Sequence, residues 1–170
     1  MMRAMPSKRR AVVAAAVLLV ACAGVAPDPA AVRADELPRR TLDEAQRAEL
    51  ASNVGAAIDA VLARRYGLAS EHATAALALD PRAARARAVR GLVLLQRAAE
   101  VDPPDYAQQR AGEAELELAR QLAPEDAFVG WMRAVFFAEI GHLSAAAAAA
   151  EEALATAASA PVEERAALLG

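Results

Sequence analysis

Apolar residues in this chain recur with a helical period and are interrupted by prolines, and the two patterns together predict its elements. Pro81, Pro103-Pro104, Pro124 and Pro161 punctuate the stretch from Thr41 to the end, and between them lie helical runs of roughly 12–20 residues, the ordinary length of globular helices, with two such runs in each of the longer segments before Pro81 and before Pro161. Proline lacks the amide that a helix interior needs and disfavours helical geometry in the residue before it, so each proline marks a place where one helix stops and another begins. Thr41-Leu42-Asp43-Glu44 carries a capping-box pattern, with Thr41 placed to accept from the first free amides and Glu44 to reach back. It predicts a helix from about 42 to 64. Six helices and a short stub after Pro161 follow. No segment alternates β-branched with polar residues, so the fold class is all-α.

The N-terminus follows a different pattern. Residues 1–10 hold Arg3, Lys8, Arg9 and Arg10 and no acid, and Ala11 to Ala21 is unbroken and apolar. A helix of that length rises about 16 Å, half of a hydrocarbon core of roughly 30 Å, so this is the hydrophobic stretch of a secretory leader and not a membrane span. Cys22, the only cysteine, comes next between the small residues Ala21 and Ala23. Leu19-Val20-Ala21-Cys22 resembles the lipobox of bacterial lipoproteins. The resemblance implies cleavage between Ala21 and Cys22, a diacylglyceryl group on the Cys22 thiol and acylation of its new amino group. Several acyl chains, at about 0.8 kcal/mol per buried methylene, anchor far more firmly than one. Ala23, where an Asp would resemble an inner-membrane retention signal, implies sorting to the periplasmic face of an outer membrane. Ala21-Cys22-Ala23 also satisfies an ordinary A-x-A cleavage site, so a soluble periplasmic protein is the alternative, as is an inner-membrane anchor.

Gly24 to Arg40 contains Pro27, Pro29 and Pro38 and no periodicity, and reads as a flexible tether. The chain thus divides into a leader (1–21), a lipidated cysteine with its tether (22–40) and a helical domain (41–170).

Within that domain, Arg64-Arg65-Tyr66 through Leu77-Ala78-Leu79-Asp80-Pro81 resembles the second half of a tetratricopeptide repeat. Tyr66 stands at the aromatic that opens that helix, Ala69 and Ala76 at its small crossing positions, and Leu77, Leu79, Asp80 and Pro81 at its close. Ala73 replaces a large aromatic. Gly91, Leu94, Ala119, Leu122 and Pro124 match a second copy; Ala134, Phe137, Gly141, Leu143, Ala146, Ala153 and Leu154 match a third. The resemblance implies a short α-solenoid of about three antiparallel helix pairs, with repeats at about 50–81, 84–124 and 127–158 and the stub as a C-terminal cap. Small residues belong where paired helices cross, because only there can their backbones approach. The second copy departs from the pattern: it has extra residues around Glu100–Ala107, and it places Arg87 and Arg90 where the family buries apolar side chains.

Charge narrows the possible functions. Removing the four basic leader residues from 19 leaves 15 against 22 acids, a net charge of −7, which disfavours nucleic acid. His72 and His142 are seventy positions apart, and no phosphate loop, metal-ligand cluster or nucleophile–base pair is present. No enzyme activity, cofactor, metal or small-molecule substrate is therefore expected. Both histidines are expected to be partly exposed. Glu113, Glu115 and Glu117 alternate along a helix and read as a solvated surface.

Two surfaces are candidates for binding. The family resemblance puts the first helix of each pair on a concave, partner-binding face, here built from Val54, Ile58, Val61, Arg85, Leu92, Leu95, Phe128, Trp131 and Val135. Trp131, the only tryptophan, is either a hot spot of that groove or a core residue between repeats. Arg82, Arg85, Arg87, Arg90 and Arg97 form a basic surface with no acid before Glu100, unless they pair with Glu113–Glu117. The expected function is a lipid-anchored adaptor that grips a segment of another envelope protein, in pilus, secretion or outer-membrane assembly. The membrane is reached through the acyl chains on Cys22. A peptidoglycan-associated regulator or enzyme, using the arginines on the polymer, is the alternative.

Overall fold

The computed structural model describes residues 32–159. The lipobox at Leu19–Cys22, the first part of the tether and the stub after Pro161 lie outside them. The described residues form six helices and no strand: α1 (Glu44–Leu62), α2 (Tyr66–Leu79), α3 (Ala84–Ala99), α4 (Tyr106–Leu122), α5 (Ala127–Glu139) and α6 (Leu143–Ser159). Helices adjacent in sequence pack as hairpins, α1 on α2, α3 on α4 and α5 on α6. Successive hairpins stack through α2 on α3 and α4 on α5, while α1, α3 and α5 touch side by side. The result is a short helical-repeat solenoid with one continuous core, running from Ala57 and Ala73 through Val89 and Val93 to Met132 and Phe136.

The N-terminal cap of α1 differs from expectation. Asp43, not Thr41, is the capping residue: its carboxylate accepts from the Gln46 amide at 2.8 Å, and the Gln46 side chain accepts from the Asp43 amide at 3.1 Å. Asp43-x-x-Gln46 is itself a capping-box sequence, and a carboxylate gains more than a hydroxyl from the positive end of the helix dipole. The helix therefore begins two residues later than the Thr41 pattern predicts.

Small residues set the helix spacing. In the first hairpin Ala57, Ala69, Ala73 and Ala76 are fully buried, so no bulky side chain stands between α1 and α2 at these positions. In the second, Gly91 faces Gly112 with no side chain between the backbones. A Cβ on Gly91 would stand 2.8 Å from the Gly112 carbonyl oxygen and 2.7 Å from Leu116 Cγ; one on Gly112 would stand 2.6 Å from the Gly91 carbonyl oxygen. In the third, a Cβ on Gly130 would lie 2.9 Å from that of Ala153. The extra residues of the second repeat form the loop at 100–105 and leave both of its helices continuous.

Two of the hairpin turns share one chain reversal. After α5 the His142 amide donates to Phe137 O at 2.8 Å and the Gly141 amide to Ala138 O at 3.0 Å, with Gly141 at φ 77°. After α1 the Arg65 amide donates to Ala60 O at 2.8 Å and the Arg64 amide to Val61 O at 3.0 Å. This is the same Schellman closure, with Arg64 in the left-handed position at φ 57°.

The described part of the expected tether is not free. Arg82 donates to the carbonyls of Ala34 (2.6 Å) and Leu37 (3.4 Å), and the Gln121 side chain accepts from the Ala34 amide at 3.3 Å. Arg40 reaches the carbonyls of Ala78 and Leu79 at the end of α2. A proline-bearing segment cannot form its own helix, but its unpaired carbonyls are available to neighbouring guanidinium groups, and Val32–Arg40 is held in this way as a strap.

Two sets of measurements check this packing. Gly91→Ala is expected to lower stability by about 1–3 kcal/mol, because neither backbone can yield, whereas Gly55→Ala, where a Cβ meets nothing within 4 Å, should raise it by about 0.5–1 kcal/mol. Urea denaturation of the two variants gives the opposite signs directly. Hydrogen bonds to the charged form, first from the Gln108 amide, hold the Asp105 carboxyl at the start of α4 below its ordinary pKa; the Arg120 guanidinium does the same for Glu117. The stability they contribute is complete above the ordinary carboxylate range and is lost as pH falls through their lowered values. Asp105→Asn with Glu117→Gln should therefore lower the neutral plateau of a Tm-against-pH curve and leave its acid end nearly unchanged, so that the acid limb flattens.

Candidate functional site

The C-terminal halves of α1 and α3 and most of the length of α5 converge on a groove of about 370 Å³. Val61 and Leu62 come from α1, Leu92 and Gln96 from α3, and Trp131, Met132, Val135 and Glu139 from α5; Arg64 and Tyr66 enter from the turn after α1. Trp131, Val135 and Glu139 fall four residues apart, on one face of their helix. The opposite face carries Phe136, fully buried in the core. Val61, Leu92 and Met132 are buried and make an apolar floor.

Trp131 stands over this floor with 43% of its surface exposed. It is not a core residue between repeats, which was the other position open to it. Phe128 supports it from one turn earlier, with ring centroids 5.9 Å apart and planes tilted by 52°. A large, half-exposed aromatic fixed by a neighbouring ring loses little conformational freedom when it is covered, which suits it to carry binding energy.

Of the residues expected on the concave face, the structure gathers Val61, Leu92, Trp131 and Val135 into the groove. Leu95 and Phe128 are buried in the core, and Val54 and Ile58 pack against it. Arg85 is tied to Asp126 at 2.7 Å. That carboxylate also caps α5 through the Phe128 amide at 3.0 Å, so Arg85 fixes the start of the helix that bears Trp131. The sequence reading did not find Leu62, Arg64, Gln96, Met132 or Glu139 for this site. Stepping by four from Trp131 reaches Glu139 through Val135. The turn residues carry no comparable periodic signal.

The basic surface is not an open patch. Arg87 is a correction: only 6% exposed, it donates to Pro81 O at 2.7 Å and to Glu115 Oε2 at 2.8 Å. Arg90 takes the other Glu115 oxygen. Glu115 is thus not part of a solvated acidic face. It lies beside the buried stripe Gly112, Leu116 and Ala119, which is why α4 turns it towards α3. With Arg82 on the carbonyls of the strap, Arg85 on Asp126 and Arg87 and Arg90 on Glu115, Arg97 is the member of the run whose side chain has neither an ion pair nor a hydrogen bond among the described residues. His72 is half-buried with Nδ1 3.2 Å from Asn53 Oδ1, and His142 is exposed. Among the described residues, no group of three His, Cys, Asp or Glu side chains could hold a metal ion, and no helix is long and apolar enough to cross a membrane.

The Arg87–Glu115 pair is structural, and removing one partner should show it. Glu115→Ala leaves Arg87 buried without its anion and is expected to cost about 3–5 kcal/mol in urea unfolding. Glu113→Ala, two residues away and exposed, should change stability by less than about 0.5 kcal/mol. No family model matches the sequence, and a search of curated proteins returns no similar chain.

Proposed function

We propose that this protein is a non-catalytic adaptor, held on a bacterial membrane through acylated Cys22, that grips a segment of another envelope protein in the groove under Trp131. The observation that carries the reading is the half-exposed Trp131 over a preformed apolar floor that spans three helices. The tetratricopeptide resemblance supports it independently, since its first-helix face is where the groove lies. The basic leader followed by Leu19-Val20-Ala21-Cys22 supports the anchor, and Ala23 supports outer-membrane sorting. Pilus, secretion and outer-membrane assembly are the settings in which an adaptor of this build would act. The arginine-rich helix does not favour a peptidoglycan-binding role, because Arg87 and Arg90 are already committed to Glu115.

Expression of the full chain with its own leader tests both parts. Intact-mass measurement should give residues 22–170 plus acyl chains; an unmodified chain beginning at Gly24 refutes the anchor. In cross-linking on intact cells, Trp131→Ala should lose most of the envelope protein joined to the wild type, while Tm changes by no more than a few degrees. An unchanged cross-linking pattern refutes the groove.

A further inference from the structure

The two ends of the groove carry opposite charges. Arg64 lies on the rim beside α1 and Glu139 on the rim beside α5, with α3 packed between those helices. Neither side chain forms an ion pair among the described residues, although Arg85, Arg87, Arg90, Arg120 and Arg133 all do. The floor between them is apolar, through Val61, Leu92 and Met132, with Trp131 and Val135 beside it.

Arg64 also occupies a position that its own backbone does not favour. It has φ 57° in the closing turn of the first hairpin, where the third hairpin has Gly141 at φ 77°. Glycine takes up that conformation at no steric cost, whereas an arginine crowds its Cβ against the following carbonyl. What the arginine adds at that turn is a guanidinium at the mouth of the groove. Sparsely populated backbone conformations that persist in folded proteins cluster at sites where ligands are held.

We infer that the groove takes an extended segment of a partner protein with an acidic residue at one end, a basic residue at the other and apolar residues between. The acid pairs with Arg64 and the base with Glu139. Side-by-side helices pack with axes about 8–10 Å apart, so the span from α1 to α5 is roughly 16–20 Å. An extended chain covers it in about five or six residues at about 3.3 Å each. This inference rests on the groove reading above and specifies its ligand.

An extended peptide can enter in either chain direction, so reversing its sequence is no control; the signs of its end charges are. Three synthetic peptides without tryptophan serve as probes: four apolar residues flanked by Asp and Arg, by two Asp, or by two Arg. Binding to the purified full chain is read from the emission of its only tryptophan, Trp131. Wild type should favour the mixed peptide by about fivefold over either uniform one, the scale expected for exposed ion pairs, with the preference collapsing in 1 M salt. Arg64→Glu should favour the two-Arg peptide and Glu139→Arg the two-Asp peptide. The double exchange should return the preference to the mixed peptide. Arg64→Gly relieves the turn and provides a variant that folds, and it should lose the mixed preference. Equal binding of all three peptides by wild type, within twofold, overturns the charge assignment and leaves the groove intact. No change in Trp131 emission with any peptide overturns the groove itself.

Discussion

The backbone contact between Gly91 and Gly112 is the constraint on which the middle of the molecule depends. Each carbonyl occupies the space that a Cβ on the other residue would need, so α3 and α4 are drawn together as far as two helices can be. The same contact positions the third hairpin. Phe136 of α5 lies across Gly112, its ring edge 3.2 Å from where a Cβ would be, and it is fully buried there. With Phe136 fixed inward, the other face of α5 must turn Trp131, Val135 and Glu139 outward. The groove is thus set by two residues that do not line it.

Charge does in the second repeat what apolar packing does in the other two. Arg87 enters the α3–α4 interface at a position where a leucine would need no partner, and Glu115 and the Pro81 carbonyl satisfy it. Such a pair adds little net stability over an apolar isostere, since desolvation offsets much of the attraction. It does restrict register: sliding α3 by one turn along α4 would bury a guanidinium without its anion. The Gly91–Gly112 crossing resists the same sliding, because a shift by one turn would bring a Cβ into a space that has none, so the ion pair and the close crossing fix one register together.

Much of this architecture can be read from the chain. Prolines mark three of the five connections, Gly141 marks a fourth and small residues mark the crossings, which together with the helical period give six helices in hairpins. The limits have physical causes. Thr41 and Asp43 each begin a plausible capping box, and the stronger attraction of a carboxylate to the positive end of the helix, which no spacing reports, favours Asp43. Gly91 is legible as a crossing residue, but its counterpart Gly112 is surrounded by Gln, Arg and Glu, so it reads as surface. Glu115 looks solvated because alternation with Glu113 and Glu117 suggests a shared exposed face; its spacing from Gly112 and Ala119 places it beside the buried stripe instead. Four of the nine residues expected on the concave face line the groove, namely Val61, Leu92, Trp131 and Val135. Arg64 was not anticipated because its role arises from a turn conformation that no periodicity reports.

The strap has a mechanical consequence. Val32–Arg40 is held by Arg82, Gln121 and Arg40 itself, at sites on the end of α2, on the turn after it and on α4. A pull on the chain N-terminal to Val32 therefore does not load α1 first. It is borne by a few hydrogen bonds distributed over two hairpins, which can release one after another while the helices stay folded. With Cys22 in a membrane as proposed, the strap would act as a slack reserve, letting out length under load before any part of the groove is strained.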